Sequence, residues 1–139
     1  MITVTLLDKD NHGRLAVDLP SILGALGDLT RNMRWAVSDC EALGAGAEAL
    51  YAVQNAGFRV SSEKLLSIAR QLDQVIDGMF CGYAESEPSG SPVVILTAVD
   101  STSWDVSSND AEILNHVREN FPEAYEAGDV GYGAKDWRH

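Results

Sequence analysis

Val93-Val94-Ile95-Leu96-Thr97-Ala98-Val99, followed by Asp100-Ser101-Thr102 and then Ser103-Trp104-Asp105-Val106, is the stretch that decides the fold. The first seven residues carry no charge, and five of them are β-branched. The run is short for a helix and apolar on both faces, the pattern of a central strand covered on both sides. Asp-Ser-Thr supplies turn-forming side chains. Ser103 to Val106 therefore reads as a short strand returning beside the first.

Upstream, Glu85 to Pro92 is a polar loop, and Gln74 to Tyr83 reads as a strand. Gly78 and Gly82 inside that strand suggest a bulge or a close backbone approach. Ser61 or Ser62 caps a helix whose apolar face is Leu65, Leu66, Ile68, Ala69 and Leu72. Ala47 to Ala56 is a shorter helix closed by Gly57. Trp35 and Val37 alternate with smaller residues, so 34–41 reads as a strand and not as the tail of a longer helix. Asp18 and Pro20 open a helix running to Leu29, in which Gly24 and Gly27 suggest close packing. Residues 2–7 alternate as a half-buried strand, 8–13 form a turn, and Arg14 to Val17 returns as the second strand of a hairpin.

Downstream, Asn109 and Glu112 form a capping box before Ile113, Leu114, Val117 and Phe121, and Pro122 stops that helix. Residues 123–139 read as an irregular tail docked through Tyr125, Tyr132 or Trp137. The order is strands, helices, three strands, helix. Segregated blocks predict an α+β fold: a mostly antiparallel sheet, made of the N-terminal hairpin and three later strands, with three to four helices packed on it. The expected organisation is a single globular domain over 1–122. Its expected core is Val93, Ile95, Val99, Leu65, Leu72, Ile113 and Val117.

The chain has 139 residues, with 21 acidic against 10 basic and a formal net charge of −11. That balance argues against a nucleic-acid or anionic membrane partner, both of which call for clustered Lys and Arg. The excess is uneven. Residues 1–70 carry 8 acidic and 7 basic residues, net −1; residues 71–139 carry 13 and 3, net −10. The N-terminus has no basic region before an apolar run, which predicts a cytoplasmic protein. Cys40 and Cys81 lie 41 positions apart in no CxxC pair, the pattern of buried, reduced thiols.

Asp8-x-Asp10-x-His12-Gly13 imitates the first half of a calcium loop, but His12 is a poor ligand and Leu19 stands where a bidentate Glu is needed. A hairpin turn explains it better. The His and Cys residues are scattered singletons, so no metal and no cofactor are expected. Nucleophile elbows, phosphate loops and dinucleotide fingerprints are absent, and no catalytic residue is assigned.

The function this composition favours is protein–protein binding, in the manner of an inhibitor or immunity-type protein against a basic partner. Candidate binding residues are Tyr83, Glu85, Glu87, Asp100, Trp104, Asp105 and Asp110. The alternative is a small enzyme or ligand-binding domain built around Asp77, Asp100 and Asp105. If Val99 and Val106 belong to paired strands, Asp100 and Asp105 flank the turn on nearby positions, where two carboxylates could do acid–base work. A homodimer joined at its sheet edges is a third reading.

Overall fold

A computed structural model describes residues 1–127. Its seven strands are β1 (Ile2–Leu6), β2 (Met33–Leu43), β3 (Val60–Ser61), β4 (Gln74–Ala84), β5 (Val94–Val99), β6 (Ser103–Ser108) and β7 (Tyr125–Glu126). The four helices are α1 (Leu19–Leu26), α2 (Ala47–Ala56), α3 (Ser62–Ala69) and α4 (Ala111–Asn120). The strands form one antiparallel sheet in the order β3-β2-β4-β5-β6-β1-β7, so β5 is the middle strand. This is the expected α+β class.

Several details differ from expectation. The turn at 8–13 closes with a single bridge between Lys9 and Leu15, but β1 pairs with β6 and β7. A long β6 offers β1 five paired positions, more than the four residues Arg14 to Val17 provide. Tyr125 and Glu126 belong to the sheet, so the last strand begins inside the expected tail. Tyr132 and Trp137 lie outside the described residues. Asp110, not Asn109, caps α4, accepting from the Glu112 amide at 2.9 Å.

The helices share one core on one face of the sheet. Ile22 and Leu26 of α1, Leu50 of α2, Leu65 of α3, and Ile113 and Val117 of α4 pack over Trp35, Phe80, Leu96, Trp104 and Val106. Along β5 burial alternates strictly: Val94, Leu96 and Ala98 enter the core, while Ile95, Thr97 and Val99 point the other way and are half-buried. The expected core was therefore one residue out of phase at Ile95 and Val99. With Thr97 as its one polar residue, β5 carries almost no alternation from which its inward face can be read. Leu65, Ile113 and Val117 are buried as expected, and Val93 and Leu72 pack at the margin.

Two glycines hold elements together. A side chain at Gly82 would meet Trp35 Cη2 at 3.0 Å, so the bare backbone of β4 makes room for the indole. Gly44 has φ +118, and a Cβ there would lie 2.4 Å from the Asp73 amide nitrogen. Gly24 has open space around it, so it marks no close packing. Trp35 Nε1 donates to Ser62 Oγ at 2.7 Å, and Ser62 in turn donates to the Thr30 carbonyl.

β3 covers only Arg34 and Trp35 of the longer β2. Beyond it, α2 side chains take over: Gln54 Oε1 accepts from the Cys40 amide at 2.7 Å, and the Tyr51 hydroxyl accepts from the Ala42 amide at 2.9 Å. Blocking an edge this way keeps it from pairing with another chain.

Candidate functional site

The site grows from two irregularities at one end of the sheet. In β2 the register jumps from Ser38 opposite Met79 to Glu41 opposite Asp77, leaving Asp39 and Cys40 as a bulge. Asp39 takes a left-handed φ of 53°, which Asp tolerates better than most residues. The β5–β6 connection turns on Asp100 (φ 49°) and Ser101 (φ 61°), with the Thr102 amide donating to Val99 at 2.9 Å. Two successive left-handed residues are what a type I′ turn needs. These three are the only non-glycine residues with positive φ among the described residues, and all sit at this end.

The turn is tied down onto β4. The Asp100 amide donates to Asp77 Oδ1 at 2.8 Å, and the Ser101 amide donates to the Ile76 carbonyl at 2.9 Å. The Asp73 amide donates to the Leu43 carbonyl at 2.8 Å, joining the entry of β4 to the exit of β2. Asp39, Glu41, Asp73, Asp77 and Asp100 thus gather along the ends of β2, β4 and β5. All but the half-buried Asp77 are exposed. Glu41 and Asp77 stand directly opposite across the strands, a like-charge pairing that disfavours the isolated fold. The ion pairs among the described residues are Arg14–Asp10, Arg31–Asp28 and Arg34–Glu85, and none involves these five. No three His, Cys, Asp or Glu side chains among the described residues group as metal ligands. Asp10 is spent on the turn itself: its carboxylate accepts from the Arg14 and His12 amides, which lowers its pKa.

Two hollows flank this end. One, of about 550 Å³, lies between the β5–β6 turn and the 8–18 segment; Lys9, Arg14, Asp73, Ser101, Thr102 and Trp104 are among its walls. The other, of about 530 Å³, opens on the helix-free side of the sheet and is bounded by Asp39, Asp77, Gly78, Met79, Thr97 and Val99. Cys40 lies against Gly78, half-buried; burial, and secondarily the Asp77 charge, push its thiol up to about 11. Cys81 is half-buried and raised too, by burial opposed by Arg59.

The expected site residues divide between the two ends of the sheet. Asp77 and Asp100 are here. Glu85 and Glu87 lie in the β4–β5 connection, and Asp110 caps α4, all at the far end. Tyr83 is nearer that end, with the Arg59 guanidinium 3.5 Å from its ring centroid. Trp104 is only 2% exposed and packs against Phe80 at 5.9 Å, so it serves the core and not a docking surface. Asp105 is 3% exposed, sits opposite Thr97 in mid-sheet, and accepts from Thr5 Oγ1 at 2.7 Å. Val99 and Val106 do lie on paired strands, but Asp105 stands opposite Thr97, further along the ladder from the turn that holds Asp100, so the two carboxylates do not form a couple across it.

Asp39, Glu41 and Asp73 escape a reading based on the charge of each half of the chain. The antiparallel β2–β4 pairing carries two of them from the near-neutral half to the acidic one. The available signal was the break in alternation after Val37. No family model, curated protein or solved structure matches this chain.

Proposed function

We propose that this protein works by binding a basic protein partner, in the manner of an inhibitor or immunity-type protein, through the acidic end of its sheet. The observation that carries this reading is the set of five carboxylates, Asp39, Glu41, Asp73, Asp77 and Asp100, which form no ion pair among the described residues. A cationic surface arriving there relieves the Glu41–Asp77 repulsion, so association recovers free energy that the free protein lacks. The same field draws the partner in and raises the association rate.

The test uses the partner captured from the native host by the tagged protein. Asp77→Asn with Asp100→Asn preserves the turn's hydrogen bonding and removes two charges. The association rate should fall, and fall less steeply with salt, while dissociation changes little. Glu85→Gln with Glu87→Gln, at the far end, should matter much less. Equal effects from both pairs, or recovery of no partner, would refute the reading.

A second reading, a small ligand-binding domain, is favoured by the hollow of about 550 Å³ beside the same turn, a volume usual for ligand pockets. It predicts that a small molecule raises the melting temperature and that Thr102→Trp, which fills the hollow, abolishes that rise.

A further inference from the structure

We infer that the hollow on the helix-free side of the sheet receives an arginine side chain of the basic partner. This rests on the reading above and specifies the chemistry of its contact. The hollow of about 530 Å³ has two kinds of wall. Asp39 and Asp77 are acidic, from the bulge of β2 and from β4. Met79 and Val99 are apolar.

An arginine fits this combination. Its methylene stem lies along apolar surface while its head stays polar. Its guanidinium is weakly hydrated for a cation and forks across carboxylate oxygens, which a compact ammonium does not. Asp77 is already oriented by the Asp100 amide on Oδ1, so little side-chain freedom remains to be lost on binding. The bulge that forms one wall is itself fixed, since the Cys40 amide is held by Gln54.

The experiment is an amide chemical-shift titration of the whole chain with N-acetyl-arginine amide, and with the citrulline derivative, in which an uncharged urea replaces the guanidinium. The arginine compound should shift Gly78, Met79, Thr97 and Ala98 saturably; the citrulline compound should not. Asp39→Asn with Asp77→Asn retains an acceptor for the Asp100 amide, tolerates the left-handed position and relieves the Glu41–Asp77 repulsion, so the variant should melt no lower than the parent. Its affinity for the arginine compound should fall roughly tenfold or more, since each charge-assisted contact is worth about that factor. An oligoarginine peptide that shifts the acidic end while the single arginine leaves the hollow untouched would overturn this inference and leave the binding reading standing. No response to either would overturn both.

Discussion

Gly44→Ala tests how the acidic end is assembled. Gly44 has φ +118, a conformation closed to residues with a Cβ, and the added carbon would lie 2.4 Å from the Asp73 nitrogen. The obstacle is backbone, so no side-chain rotation relieves it. The 43–46 and 71–73 segments must separate. Two hydrogen bonds are then at risk, Asp73 N to Leu43 O and Gly46 N to Gln71 O, both 2.8 Å. At about 1 kcal/mol each, with about 1–3 kcal/mol of backbone strain, the loss comes to roughly 3–5 kcal/mol. A domain with ~5–15 kcal/mol of stability would melt roughly 10–20 °C lower. Gly24→Ala is the control. It lies in α1 with nothing within 4 Å, so alanine should stabilise by about 0.5–1 kcal/mol through backbone entropy and helix propensity. Urea denaturation of the two variants reads both numbers. A Gly44→Ala protein within ~1 kcal/mol of the parent would show that the two segments are not in contact as described.

Leu96→Ala should cost ~2–5 kcal/mol and Ile95→Ala distinctly less, because only Leu96 faces the core; equal losses by urea denaturation would undo the β5 register. Ser62→Ala removes the acceptor of the buried Trp35 indole N–H and should cost about 1–3 kcal/mol, whereas Ser62→Thr, which keeps the hydroxyl, should cost less. Cys40, its thiol raised from an ordinary 9.0 to about 11, should alkylate slowly at neutral pH and accelerate until about pH 11; Asp77→Asn should move that profile down, and a native Cys40 rate profile with its midpoint near 9 would contradict the burial. Since the unfolded thiol ionises first, the contribution of Cys40 to stability is intact below about pH 9 and is lost between 9 and 11.

The elements were readable where local chemistry decides them. Asp18 caps α1 and Ser61 caps α3, as their side chains and spacing imply. Gly57 ends α2 in a left-handed conformation. The strand over Trp35 and Val37 followed from alternation alone. Pairing was less readable, because a strand's partner is chosen by distant segments. Nothing local in Ile2 to Leu6 points to β6, about a hundred residues away. The site was half readable for the same reason. Asp100 announced itself as a turn residue, but its neighbours Asp39 and Glu41 arrive through the β2–β4 ladder and a bulge. Trp104 stood among the candidate binding residues because polar residues surround it, yet Trp104, Val106 and Ser108 form one inward face while the polar Asp105 and Ser107 are buried on the other.

The central claim, that the acidic end of the sheet receives a basic partner, is tested most directly by mapping where a polycation lands. An oligoarginine peptide titrated into isotopically labelled protein at ~0.1 M salt, where fields reach about 10 Å, should shift the amides of 39–41, 77–79 and 97–101 first and most strongly. Shifts centred on Glu85, Glu87 and Asp110, or spread over every acidic residue alike, would contradict it.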